Sequence, residues 1–172
     1  MLNAGDALPV FPLLRREAPR ASWYVVTFYV KASTPSCTTQ VCELATLSSP
    51  RVQVVALGPG TLDAHERFER TLAATTAPGK RACSLVLDAP QDGAPPLALA
   101  CGVWGKKKLY GKEHMGVIRS TFIVDQHGII KHAWHNLRVK GHAAAVREAL
   151  EALDSLKTQP PARASLPKRQ TS

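Results

Sequence analysis

The chain from residue 23 to residue 42, WYVVTFYVKASTPSCTTQVC, predicts a strand, a polar loop and the start of a helix. Nearly every residue of 23–30 is aromatic or β-branched, which is typical of a strand buried on both faces of a sheet. Pro35 suits the first turn of a helix, where a missing backbone N–H costs little. The pattern therefore places Cys37 at the beginning of a helix and Cys42 five residues further along the same segment.

Strand-like and helix-like segments alternate along the rest of the chain. We predict a helix over 37–47, a strand over 52–57, a helix from the N-cap Thr61 to about residue 74, and a strand over 84–87. A short helix follows, and then a β-hairpin whose strands, 120–124 and 129–134, flank the turn Asp125-Gln126-His127-Gly128. A last helix begins after Gly141. Strands that alternate with helices and end in a hairpin form a mixed sheet with helices on both faces. The predicted fold class is α/β with thioredoxin-like topology.

The length and composition fit one folded domain. A chain of 172 residues that is 45% hydrophobic can bury one sizeable core. We assign 1–20 to an irregular lead-in or short hairpin, 21–157 to the domain and 158–172 to a disordered basic tail, because that end is polar and rich in proline.

The chain has no run of about 18 apolar residues and no secretory pattern at its start, so no membrane contact is expected. Its four cysteines then indicate a reducing compartment, and we expect a cytoplasmic protein. The net charge of +9 attracts polyanions. No nucleic-acid module with interleaved aromatic and basic residues is present, so a solvated basic face is the simpler interpretation.

The two early cysteines are candidates for redox chemistry. A thiol in the first turn of a helix meets unpaired N–H groups and the positive end of the helix dipole, which favour the thiolate. Cys37 can therefore react and Cys42 can trap the product; the alternatives are an inert buried thiol and a packed helix cysteine. Cys83 and Cys101 are more typical of small buried residues. The cysteine spacing is too wide for a zinc pair, and no metal or cofactor is expected.

Six short motifs occur in one order along the chain and carry a family resemblance. They are Thr34-Pro35-Ser36-Cys37-Thr38-Thr39, Gly102-Val103-Trp104-Gly105 with Lys107, Tyr110-Gly111-Lys112, Met115-Gly116, Arg119-Ser120-Thr121-Phe122 and Val139-Lys140-Gly141-His142. Together they resemble the peroxiredoxins, specifically the subfamily called bacterioferritin comigratory protein or peroxiredoxin Q. The resemblance extends over about 23–153.

The resemblance implies a thioredoxin fold and a thiol-dependent peroxidase that reduces hydrogen peroxide and organic hydroperoxides. It makes Cys37 the peroxidatic thiol, Thr34 its hydroxyl partner, Arg119 the neighbouring guanidinium and Cys42 the resolving thiol, with Cys83 as a rival for the last role. The Cys37–Cys42 disulfide would be recycled by thioredoxin or a similar dithiol reductant, in a monomeric protein.

Helix geometry adds a condition to this pairing. Residues five apart in an intact helix have Cα atoms about 8–9 Å apart, whereas a disulfide needs less than about 7 Å. The first turns of the helix must therefore unwind before Cys37 and Cys42 can bond.

Three positions depart from the family pattern. Val30 stands where a proline is usual, Ser36 replaces a common glycine, and 44–46 read Leu-Ala-Thr instead of Phe-Arg-Asp. The alternative function is therefore a catalytically weakened thioredoxin-fold module for binding or redox sensing. In that case Thr34 would serve only as a helix cap and Arg119 only as a strand-end arginine.

Overall fold

A mixed five-stranded sheet forms the centre of the protein. In the computed structural model, which describes residues 1–76 and 83–158, the seven strands are β1 (Trp23–Phe28), β2 (Val52–Pro59), β3 (Ser84–Asp88), β4 (Trp104–Leu109), β5 (Lys112–Val117), β6 (Ser120–Asp125) and β7 (Ile130–His135). The sheet has the order β3-β2-β1-β6-β7, and β4 pairs only with β5. Strands β1, β2 and β3 run parallel, whereas β6 and β7 pair antiparallel to their neighbours.

Helices cover both faces of this sheet. They are α1 (Phe11–Glu17), α2 (Pro35–Ala45), α3 (Leu62–Thr75), α4 (Pro96–Ala100) and α5 (His142–Thr158). Alternate residues of β1 point to opposite faces: Tyr24, Val26 and Phe28 join a core with residues of α1 and α4, and Trp23 and Val25 join one with residues of α2 and α5. All six residues of β1 are buried, as the run of aromatic and β-branched side chains predicted.

The predicted order of elements is confirmed. Between 23 and 158, each helix and strand that was predicted with bounds lies within a few residues of them, and Thr61 caps α3 by accepting a hydrogen bond from the Ala64 N–H at 3.3 Å. The hairpin of β6 and β7 turns through Gly128, whose φ of +85° favours glycine.

The irregular lead-in predicted for 1–20 is wrong in its second half. Residues 11–17 form helix α1, because Phe11 and Leu14 bury their side chains against the sheet. The ring of Phe11 packs edge-on against Tyr24, with ring centroids 5.2 Å apart. Two turns of helix are too short for a periodic pattern to stand out, so this packing decides the structure.

The two-stranded arm of β4 and β5 was not predicted. Its strands carry lysines and other polar residues that have low strand propensity, and most of their side chains are exposed. A two-residue turn joins them, with Tyr110 at φ 48° and Gly111 at φ 77°, the conformation that hairpin turns need.

The tail predicted for 158–172 lies, apart from Thr158, outside the described residues. Among the helices of 1–76 and 83–158, none is long and apolar enough to cross a membrane.

Candidate active site

Cys37 lies at the positive end of α2. Thr34 occupies the N-cap position, Pro35 is the first helical residue and Cys37 is the third. The Cys37 side chain is only 1% exposed, within a cluster that includes Tyr29 and Val41. A sulfur at this position faces the unpaired N–H groups of the first turn, which favour a negative charge.

The sheet brings a guanidinium to this sulfur from a distant part of the chain. Strand β6 runs antiparallel to β1 with Ser120 opposite Phe28, so Arg119 lies where β1 ends and the chain leaves for α2. Its Nη2 donates to the Cys37 sulfur at 3.3 Å and to Ser36 Oγ at 3.2 Å. The structure therefore brings together two predicted site residues that are 82 positions apart.

The environment of Cys37 favours its ionised form. Burial by itself raises the pKa of the thiol, because a thiolate loses hydration. Hydrogen bonds from the Thr34 hydroxyl and from the backbone amides of Lys31 and Val30, together with the charge of Arg119, outweigh this effect and leave the pKa below its ordinary value. A lowered pKa and a neighbouring fixed cation are the electropositive conditions that favour a reactive thiolate.

The Thr34 hydroxyl has two acceptors and one proton. It makes no capping bond to α2 and instead donates to the Lys31 carbonyl oxygen at 3.0 Å. The same hydroxyl is within reach of the Cys37 sulfur and lowers its pKa. Rotation about one bond can therefore move the proton between the carbonyl oxygen and the thiolate.

Two of the three departures from the family pattern lie at the sulfur. Val30 has a backbone N–H, which a proline lacks, and this N–H is among the groups that lower the pKa of Cys37. Ser36 supplies the hydroxyl that accepts from Arg119. Leu44, in the third departure, is buried in the core at 1% exposure. All three residues thus have defined structural partners in this chain.

Lys107 is a second cation at the site, and it was not assigned a role from the sequence. It extends from β4 over Gly116, where a Cβ would lie 3.1 Å from the Lys107 side chain, and its Nζ donates to the Val117 carbonyl oxygen at 2.9 Å. Burial lowers the pKa of Lys107 and repulsion from Arg119 lowers it further, whereas attraction to the Cys37 thiolate raises it. Lys107 therefore adds to the positive field around the sulfur.

Cys42 lies on the same helix but in a different environment. All four cysteines are free thiols, and α2 is continuous over Cys37 and Cys42, so the helix keeps the two apart as the geometric argument requires. The Cys42 sulfur lies 3.4 Å from the Thr75 hydroxyl oxygen on α3 and lines a cavity that Cys83 also lines. Cys101 is fully buried in the core on the other face of the sheet.

A chain of buried polar side chains connects α5 to α2 beneath the site. His142 Nε2 lies 2.9 Å from Thr121 Oγ1, which lies 2.8 Å from Thr27 Oγ1. Gln40, between the two cysteines of α2, donates from Nε2 to Thr27 Oγ1 at 2.7 Å and to the Phe28 carbonyl oxygen at 3.3 Å. These bonds tether the middle of α2 to the sheet.

Comparison with known proteins identifies the class to which this fold and site belong. Residues 14–133 match the AhpC/TSA family. The chain therefore belongs to the AhpC/TSA family, whose match covers the strand before α2, the helix with both cysteines and the strand after Arg119.

Relatives that span most of the chain show which members of this family it is similar to. Peroxiredoxin Bcp of Bacillus subtilis is 31% identical over 141 residues, which cover 80% of this chain and 81% of the relative. A structure of the bacterioferritin comigratory protein of Xanthomonas campestris, a protein studied for its alkyl peroxide reduction, superimposes with a TM-score of 0.62 at 31% identity and covers 77% of this chain and 81% of its own. Xylella fastidiosa PrxQ gives a TM-score of 0.69 at 25% identity, with coverage of 90% and 98%.

These similarities confirm the family resemblance found in the motifs and the thioredoxin-like fold class. The enzyme class is that of the peroxiredoxins, oxidoreductases that reduce a peroxide with a thiol.

Proposed function

We propose that Cys37 is the peroxidatic thiol of this protein, with Thr34 and Arg119 as its catalytic partners, and that Cys42 resolves the oxidised form. The observation that carries this proposal is the 3.3 Å contact from Arg119 Nη2 to the Cys37 sulfur, at the positive end of α2. Hydrogen peroxide and organic hydroperoxides are the proposed substrates, as the alkyl peroxide reduction of the Xanthomonas campestris relative supports.

The first step is attack of the Cys37 thiolate on one peroxide oxygen. An S–O bond forms while the O–O bond breaks, and the other oxygen leaves as hydroxide or alkoxide and takes a proton. The guanidinium of Arg119 keeps its charge at any working pH and stabilises the developing negative charge. The Thr34 hydroxyl can accept from the peroxide O–H and donate to the reacting atoms. The products are a sulfenic acid on Cys37 and water or an alcohol.

The second step joins the two thiols of α2. Cys42 attacks the sulfenic sulfur, the S–S bond forms, and the oxygen leaves as water. Because the intact helix holds the Cα atoms about 8–9 Å apart, its first turns must unwind. Their sequence suits this change: Thr38 and Thr39 are poor helix formers, and their hydroxyls bond back to the carbonyls of Thr34 and Pro35 at 2.8 and 2.9 Å, a pattern that weakens helices.

We further propose that thioredoxin or a similar dithiol protein reduces the Cys37–Cys42 disulfide, and that the protein works as a monomer in the cytoplasm. The proposed unwinding of α2 supports the first point, because it would move the disulfide out of the buried cluster in which residue Cys37 is only 1% exposed.

Stopped-flow peroxide consumption with thioredoxin and its reductase tests these roles. Cys37→Ser should abolish turnover. Cys42→Ser should retain fast oxidation in the first turnover and stop thioredoxin-linked recycling, whereas Cys101→Ala, in the opposite core, should behave like the parent. Unimpaired recycling by Cys42→Ser would exclude Cys42 as the resolving thiol.

A further inference from the structure

A third thiol lies beside the proposed resolving cysteine. Cys42 on α2 and Cys83, directly before β3, line the same cavity of about 170 Å³, whose other walls include the apolar side chains of Val41, Leu72 and Leu85. The proposed peroxidase cycle makes no use of Cys83.

Cys83 is held in its protonated form while α2 is intact. Its thiol donates to the Ser84 carbonyl oxygen at 3.3 Å. Burial raises its pKa to about 12; the nearby Cys42 sulfur adds to this rise, and a hydrogen bond from the Ala56 amide opposes it. A thiol that stays protonated does not attack a disulfide. Cys83 is therefore unreactive toward disulfides in the reduced protein.

Tyr29 stands against a direct bond from Cys37 to Cys83. Its buried ring packs in the same cluster as Cys37 and against Cys83, and both sulfurs act electrostatically on its hydroxyl. The ring rests on the backbone of β2, where any side chain at Gly58 would collide with it. A Cys37–Cys83 bond would have to displace this ring, whereas Cys42 and Cys83 line one cavity.

We propose that Cys83 takes over the disulfide from Cys37, forming a second redox pair with Cys42 across this cavity. The inference rests on the proposed formation of the Cys37–Cys42 disulfide. The step is a thiol–disulfide exchange: the Cys83 thiolate attacks the Cys42 sulfur, the Cys42–Cys83 bond forms, and Cys37 leaves with the electron pair of the broken bond. The Cys83 proton goes to water, and no outside oxidant or reductant is needed.

Two properties of the site set the direction of this exchange. Unwinding of α2, which the first disulfide requires, would open the cavity that Val41 and Cys42 line together with Cys83 and so reduce the burial that raises the pKa of Cys83. The thiol of lowest pKa is the best leaving group in disulfide exchange, and once Cys37 is released α2 can rewind, which returns Cys37 to the environment that lowers its pKa. The disulfide therefore moves away from Cys37, which is free to reduce another peroxide before the external reductant arrives.

Disulfide mapping distinguishes the two bonds, because trypsin separates the partners. Fragment 32–51 contains both Cys37 and Cys42, and fragment 82–106 contains Cys83 and Cys101. The Cys101→Ala chain, oxidised with one equivalent of hydrogen peroxide and quenched over time, should first show a disulfide within 32–51 and then a bond between 32–51 and 82–106. Adding Cys83→Ala should leave only the internal disulfide. Without reductant, the first chain should consume about two equivalents of peroxide and the second about one, because the freed Cys37 becomes a sulfenic acid.

The outcomes separate this inference from the proposed function. If oxidation gives only the disulfide within 32–51 at all times, the transfer to Cys83 is wrong and the peroxidase proposal stands. If the two fragments become linked at the same rate in a Cys42→Ser background, Cys83 resolves Cys37 directly and the relay is also wrong. If the chain that lacks Cys83 neither consumes peroxide nor forms the internal disulfide, the proposed pairing of Cys37 with Cys42 fails as well.

Discussion

His142 makes the stability of this protein sensitive to mild acid. It lies at the start of α5, is 6% exposed and contacts Thr121 Oγ1 through Nε2 at 2.9 Å. Burial lowers its pKa from 6.5 to about 4, because a buried imidazolium loses hydration and has no carboxylate among its hydrogen-bond partners in 1–76 and 83–158. The folded protein therefore holds His142 neutral.

The direction of the change in stability follows from the pH at which the unfolded and the folded chain each bind a proton at His142. The unfolded chain takes it up at a pH near 6.5, whereas the folded chain resists until the pH approaches about 4. The contribution to folding is complete above the unfolded pKa and declines as the pH falls through the interval between the two values. At about 1.4 kcal/mol per pKa unit, the full loss is about 3 kcal/mol, and about 2 kcal/mol of it has occurred by about pH 5.

Urea unfolding of the parent and of His142→Gln at about pH 7.5 and about pH 5 measures this loss. Glutamine retains a polar group for Thr121 but does not titrate, so the parent should lose about 2 kcal/mol more than the variant between the two pH values. His114→Gln, a change at an exposed histidine of β5, should keep the parent's pH dependence. An equal loss in the parent and in His142→Gln would refute the assignment of the acid sensitivity to this buried imidazole.

Three further predictions concern the reactivity of Cys37, each measured by the rate of peroxide oxidation and by the pH dependence of alkylation. Arg119→Met should raise the pKa of the thiol and slow oxidation on the order of 10²-fold; an unchanged rate would remove the guanidinium from the mechanism. Lys107→Met should shift the alkylation profile in the same direction by a smaller amount, with the exposed Lys106→Met as its matched control, and equal effects of the two would contradict a specific role. Thr34→Val keeps the shape of the side chain without the hydroxyl, so it should slow oxidation about 10-fold or more. An oxidation rate equal to that of the parent would show that the Thr34 hydroxyl takes no part in the reaction.

The sequence was most informative where one local pattern dominates. The run of aromatic and β-branched residues at 23–30 predicts β1, and Pro35 predicts the start of α2. Helix α1 and the arm of β4 and β5 were missed because long-range packing forms them. Two buried residues are enough to fix α1 on the sheet, and pairing along the full length of the arm overrides the low strand propensity of its lysines.

The residues of the site also differ in whether the sequence alone could predict them. The motifs nominated Cys37, Thr34 and Arg119, and the structure places all three together. Lys107 and the amide of Val30 were missed, because one depends on the course of the arm and the other on backbone orientation. Lys107 could have been considered as a site residue because it was grouped with the Gly102–Gly105 motif. A backbone N–H donor, in contrast, cannot be predicted from the identity of its side chain.

The proposed reactivity of Cys37 and the proposed Cys37–Cys42 disulfide place opposite demands on α2. An intact first turn keeps Cys37 beside Arg119 and lowers the pKa of the thiol, whereas disulfide formation requires the same turn to unwind. The hydrogen bonds from Gln40 to Thr27 and Phe28 let α2 meet both demands. They hold the middle of the reduced helix in place, while the threonine-rich first turn remains a weak helix. Unwinding that reached Gln40 would also break these bonds, each typically worth about 1 kcal/mol. In the proposed cycle, oxidation of Cys37 and formation of the S–S bond would therefore drive a change that the intact helix of the reduced protein opposes.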